Sequence, residues 1–124
     1  MSLKVGDIII FERTFKTEDV ELFTKVSGDD GIHHLTPDEL GRLVVQGLLT
    51  ATLPTKVGGN NNVLARTMNF EFTRPVFTGD TITCEVTIEQ FEEQDNRTQI
   101  TSSFICTNQN KKEVMRGSFA GVIL

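Results

Sequence analysis

Basic residues are never gathered in this chain. Their longest run is Lys111-Lys112, and 12 Lys/Arg against 17 Asp/Glu leave a net charge of −5. A phosphate backbone needs a positive face, so nucleic acid is excluded as a partner. Long apolar runs are missing too. No stretch approaches the roughly 18 residues of a membrane-spanning helix, and the opening MSLKVGD lacks the apolar core of a signal peptide. Cysteine is scarce: Cys84 and Cys106 stand singly in strand-like segments, with no C-x-x-C and no histidine nearby. Reduced, buried thiols are therefore expected, not a disulfide or a metal site. There is no internal repeat and no low-complexity segment. These absences leave a soluble, cytoplasmic protein with one domain over 1–124, its apolar fraction of 38% sufficient for a real core.

From the N-terminus, KVGDIIIFERTF (4–15) predicts a strand, an apolar run after a Gly-Asp turn. Thr17 then caps a helix whose opening carries Glu18, Asp19 and Glu21, acids that suit the positive end of a helix dipole. Val20, Phe23 and Val26 recur at helical spacing, with Leu22 widening the stripe, until Gly28 stops it. TPDEL (36–40) predicts one helical turn opened by Pro37. Leu43 to Thr55 is wholly uncharged. LVVQGLLTATLPTKVGG (43–59) therefore predicts a helix buried on nearly every side and kinked or ended by Pro54, with GGNNN (58–62) as a loop.

From Val63 the period changes to two. Met68, Phe70 and Phe72 alternate, then Ile82, Cys84, Val86 and Ile88, then Ile100, Ser102, Phe104 and Cys106, then Val114, Arg116, Ser118, Ala120 and Val122. Turn formers at 78–80, 92–97 and 108–112 separate these sets, which predicts four long, hairpin-connected antiparallel strands. A helix so apolar needs a sheet wrapped round it. The fold class is α+β: a curved antiparallel sheet of about five strands round a central buried helix.

SGDDGIHH (27–34) holds both histidines of the chain and follows directly on the helix stop. Gly28 and Gly31 break both periodicities, so the segment predicts a loop. By residue type alone, an aspartate after a helix-ending glycine is a turn former, and single histidines are surface residues. The wider pattern says more. VGD (5–7), RTFKTEDVELFTKVSGD (13–29), VVQGLLTATL (44–53) and FTRPVFTGD (72–80) stand in the order found in MaoC-like proteins. The chain resembles that family over nearly all its length up to Asp80. These are hot dog fold domains and include the (R)-specific enoyl-CoA hydratases.

Residue by residue, the family's S-G-D-x-N-P-x-H motif falls on Ser27 to His34. It matches Asp29 and His34 to the catalytic pair and puts Gly31 and Ile32 where the family has Asn and Pro. Its V-H-G-M motif falls on Val45 to Leu48. There Gly47 matches the glycine whose backbone N–H holds the thioester oxygen, and Gln46 replaces the histidine. A hydroxyl further along the buried helix falls on Thr55, and the stretch from His34 to Gly47 is several residues shorter than in the family.

The resemblance implies interconversion of trans-2-enoyl and (R)-3-hydroxyacyl thioesters. CoA is then part of the substrate, acyl-CoA is the small-molecule partner, and no cofactor or metal is needed. It also implies a homodimer or higher homo-oligomer, with active sites at the subunit interface. The residue types suit the reaction. Hydration needs a group that deprotonates water at C3, one that protonates C2, and a donor for the enolate-like oxygen; a carboxylate and an imidazole gripping one water serve the first two. A glycine N–H in the first turn of a helix serves the third, a donor worth about 3 kcal/mol in the transition state. Gln46 and Thr55 are supporting candidates, and Gln46 donates and accepts hydrogen bonds but does not titrate. His33 and Asp30 read as surface residues. Two other readings stay open on these residues: a hot dog acyl-CoA thioesterase, and a non-catalytic acyl-thioester-binding homologue that retains Asp29 and His34. Hydration of a crotonyl thioester separates the first reading from both, and thiol release separates those two.

Overall fold

The computed structural model describes residues 3–124. In chain order its elements are β1 (Ile8–Thr14), α1 (Thr17–Ser27), α2 (Ile32–Leu35), α3 (Gly47–Thr50), α4 (Thr52–Asn60), β2 (Val63–Phe72), β3 (Thr81–Gln94), β4 (Arg97–Thr107) and β5 (Glu113–Ile123). The five strands form one antiparallel sheet in the order β1-β3-β4-β5-β2. Only β3, β4 and β5 are hairpin-connected neighbours. β2, expected to precede β3 in a hairpin, instead pairs with β5 at one edge, while β1 holds the other. Register shifts leave Arg66 of β2 and Glu89 of β3 as extra residues. Such bulges bend and twist their strands, which curls the sheet.

The concave side of that sheet holds the core. Phe15, Val20, Leu53, Val57, Ile82, Val86, Phe104, Met115 and Phe119 belong to one cluster, each burial contributing about 1.5–3 kcal/mol for a side chain of this kind. Cys84 and Cys106 lie in it as free thiols, directly opposite each other across β3 and β4. Hydrogen bonding to Cys84, together with burial, pushes the Cys106 thiol far above its ordinary value. It stays protonated, and the reactive thiolate does not form.

Local chemistry moves several expected boundaries. Thr17 is the first residue of α1, not its cap; the Asp19 carboxylate accepts the Lys16 N–H at 2.9 Å and secures the helix start from within. Residues 36–40 are not helical. Asp38 Oδ1 accepts the N–H groups of Leu40 and Arg42 at 2.9 and 2.8 Å, and its Oδ2 accepts from Arg42 Nε at 2.9 Å, folding a compact loop. The central helix breaks at Ala51, because Pro54 offers no N–H to the Thr50 carbonyl four residues back. Pro54 then sits in the first turn of α4, where a missing N–H costs nothing. α4 runs through Gly58 and Gly59 to Asn60, where a loop was expected; Asn61 N–H and Nδ2 bond the carbonyls of Gly58 and Val57 and hold that last turn. Nor is the helix covered all round: Leu48, Thr55 and Lys56 are exposed. On β5 the core-facing set includes Met115 and Phe119, not Arg116, Ser118 and Ala120.

Candidate active site

α1 ends at Gly28, whose φ of 73° is a left-handed conformation, with its N–H on Thr24 O at 2.9 Å. Only glycine adopts that turn without strain. Ser27 Oγ donates to Phe23 O at 2.7 Å and accepts the Asp29 N–H at 3.0 Å, fixing the residue that follows the stop. The Asp29 carboxylate spans the loop: Oδ1 lies 3.5 Å from the Gly31 nitrogen and Oδ2 3.5 Å from His34 Nε2. The segment carrying the histidines is not all loop. α2 is one helical turn, begun by the His34 N–H on Gly31 O at 2.8 Å. That turn brings His34 back toward Asp29.

Gly31 has an ordinary negative φ, and a side chain there would meet the exposed His33 ring, which would have to turn aside. A Cβ on it would lie 2.8 Å from His33 Cε1 and 3.4 Å from His34 Cδ2, and the two imidazoles approach to 3.9 Å between centroids.

His34 is buried while the Asp29 side chain is half exposed. His34 Nδ1 hydrogen-bonds the Val44 carbonyl. A carbonyl only accepts, so Nδ1 carries the proton, and this bond assigns the tautomer. Nε2 is thereby the nitrogen turned to Asp29. Val44 is itself pinned, its N–H donating to His33 O at 3.0 Å.

His34 is the shared wall of two hollows. One, of about 290 Å³, is lined by His33, His34, Gly47, Thr50, Phe72 and Arg74 among others. The other, of about 380 Å³, lies between α1 and the 35–43 segment, with Thr24, Leu35 and Leu43 in its walls. Gly47 opens α3, and N–H groups in a helix's first turn have no intrahelical acceptor. A Cβ at Gly47 would come within 3.0 Å of the Phe72 ring. His34 and Gly47 thus face one hollow, with Asp29 beside His34.

Gln46, directly before α3, is fully buried and donates to Thr24 Oγ1 at 2.9 Å. Thr55 is not brought to this place. It is exposed on α4, its Oγ1 bonded to Ala51 O at 3.0 Å, beside a separate cavity of about 50 Å³. The sequence reading passed over two residues of the hollow. Thr50 is a buried threonine hidden in an apolar run, and Arg74 was read only as part of FTRPVFTGD; its Nη1 donates to Glu113 O at 2.8 Å. Among the described residues there is no cluster of three or more His, Cys, Asp or Glu suited to a metal, and no helix is long and apolar enough to cross a membrane.

A curved antiparallel sheet embracing a central helix, with a carboxylate and an imidazole at its flank, defines a hot dog domain. Residues 39–116 match the family described as FAS1-like, dehydratase domain region. Among solved structures, the (R)-hydratase from A. caviae involved in PHA biosynthesis is similar with a TM-score of 0.85 and 25% identity, over 99% of this chain and 98% of that one. Protein af1124 from Archaeoglobus fulgidus gives 0.84 and 27%, over 100% and 81%. A MaoC-like dehydratase from Rhodospirillum rubrum gives 0.79 and 18%, over 98% and 93%. No curated protein matches the sequence. The chain belongs to the FAS1-like dehydratase-region family, among the MaoC-like hot dog proteins.

Proposed function

We propose that this protein is a cytoplasmic hydratase/dehydratase that interconverts trans-2-enoyl-CoA and (R)-3-hydroxyacyl-CoA. The observation that carries the reading is the convergence of Asp29 Oδ2 on His34 Nε2, 3.5 Å apart, with Gly47 in the hollow that His34 walls. One water beside two groups this close lies within hydrogen-bond reach of both. In hydration its oxygen bonds C3 of the enoyl thioester, one of its protons passes to the Asp29–His34 pair, and the pair returns a proton to C2. The elements of water are added and nothing else is consumed. Charge gathered on the thioester oxygen meets the Gly47 N–H. The (R) outcome rests on likeness to the A. caviae enzyme.

The second part of the proposal is a homodimer through β2. Among the described residues no strand pairs with its outer edge, and Leu64, Met68 and Phe72 are exposed along it. Unpaired apolar edges are normally covered. Phe72 also stands against Gly47, so the partner copy lies at the mouth of the hollow.

The test follows loss of the conjugated enoyl absorbance of crotonyl-CoA. Asp29→Ala and His34→Ala are each expected to cost about 100- to 10,000-fold, the worth of a positioned acid or base. Wild-type silence on short and medium chains refutes the hydratase, and release of free CoA thiol in its place makes the protein a thioesterase.

A further inference from the structure

We propose that Gln46 is a positioning residue that ties the Asp29 loop to the thioester-holding end of α3. The inference rests on the hydratase reading and deepens it. Two ends of the site come from different elements: Asp29 follows α1, and Gly47 starts α3. Gln46 joins them. Its backbone caps α3, its carbonyl accepting the N–H groups of Leu49 and Thr50 at 3.0 and 3.1 Å. Its side chain crosses to the other side. The two N–H groups of Nε2 lie among three acceptors: Thr24 Oγ1 at 2.9 Å, Val20 O at 3.3 Å and, at the longest reach, Asp29 O at 3.5 Å.

The amide has one possible orientation. The Val20 and Asp29 carbonyls only accept, and the Thr24 hydroxyl already gives its hydrogen to Val20 O at 2.8 Å. All three neighbours therefore call for a donor, which the NH₂ group alone supplies. The consequence is a buried Oε1 with no hydrogen-bond partner among the described residues. That orphan offsets what the donor bonds contribute to stability. A methionine of similar volume would remove that orphan, at the cost of the donor that Thr24 Oγ1 and Asp29 O now receive. What the amide keeps is geometry: it fixes Asp29 relative to Gly47 without adding a titrating group beside the pair.

The experiment compares wild type, Gln46→Met and Gln46→His for kcat and KM on crotonyl-CoA, for melting temperature, and for amide hydrogen exchange at residues 28–34. Gln46→Met is expected to melt near wild type and to hold its KM, while kcat falls about 10- to 100-fold, the effect of a small misplacement of a reacting group. Exchange should quicken at 28–34 and not across β3–β5. Gln46→His, which restores a ring N–H, should recover most of the kcat. Wild-type kcat in Gln46→Met overturns the inference, and so does a loss of kcat that tracks a lower melting temperature and exchange raised everywhere. Should Gln46→Met not fold, Thr24→Val removes the acceptor of the shortest bond and is expected to show the same split. If wild-type protein shows no hydration, the hydratase reading falls by itself. The tether is then judged on exchange alone, with unchanged protection at 28–34 overturning it.

Discussion

Asp29 and His34 face each other, yet they are built into the fold to different depths, and that difference makes their variants informative. His34 is buried and spends Nδ1 on the half-buried Val44 carbonyl, so truncating it opens a cavity and leaves that acceptor without its partner, at about 1–3 kcal/mol. Asp29 is half exposed, and its 3.5 Å approach to Nε2 is a surface-grade pairing, worth about 0–1 kcal/mol. Asp29→Asn is therefore the cleaner probe. Its stability should stay within about 1 kcal/mol of wild type while hydration falls at least about 100-fold. Denaturant melts and the crotonyl-CoA assay read the two separately. A large stability loss would mean that Asp29 holds the loop together and that its chemistry cannot be isolated. Residue type alone makes Asp29 a turn former and His34 a surface residue; what singles out the pair is the likeness of Ser27 to His34 to the MaoC-like motif, with an acid and an imidazole at fixed spacing after a helix stop.

At the scale of elements, legibility ran out wherever phase or position mattered more than type. Leu43 to Thr55 is uncharged throughout, so periodicity could not say which hydroxyl faces inward; Thr50 is buried in the hollow, and Thr55 is outside on α4. Alternation reads the same in an edge strand as in a central one, which hid the place of β2. On β5 the pattern placed Arg116, Ser118 and Ala120 in the core, where only Val114 and Val122 of that set are buried, because glycines occupy core-side positions. Gly117 stands opposite Phe104 and Phe70, and a Cβ there or at Gly121 would run into the β2 backbone at Asn69 and Leu64. Those glycines let β2 close on β5. Gly117→Ala is accordingly expected to destabilise by about 1–3 kcal/mol or more, the usual cost of overpacking, and thermal melts that match wild type would remove the argument.

The loop at Asp38 carries its own prediction. The Arg42 N–H, then its guanidinium and the Leu40 N–H, hold the Asp38 carboxyl below the ordinary carboxylate range. A lowered folded value stabilises at pH above that range, and the contribution is lost as pH falls through the lowered value. The group is solvent-exposed, so the effect is small and weakens with salt. Carbon NMR titration should give Asp38 a midpoint below that of a free aspartate side chain, and a midpoint at or above it would break the account.

For the whole molecule, the decisive question is what covers β2. Met68, Phe70 and Phe72 alternate as a core-facing set should, and Phe70 does pack on Phe104. Yet Met68 and Phe72 remain 39% and 52% exposed, because β2 is an edge strand and, among the described residues, no strand pairs beyond it. A second copy pairing antiparallel along this edge would extend the sheet, satisfy the free backbone groups and close the apolar strip at once. Met68 lies near the middle of the ten-residue strand, so in a pairing along the full strand it sits close to the two-fold axis, where one substitution is felt twice. Met68→Lys should therefore yield a monomer by sedimentation while circular dichroism stays native, the lysine stem lying over the strip and its charge reaching water. Because Phe72 walls the hollow beside Gly47, hydration should fall with dimerisation, and raising the protein concentration should restore part of both. A wild-type protein that sediments as a monomer at concentrations where it is active would show that the edge is not the subunit interface and that one chain completes its own site.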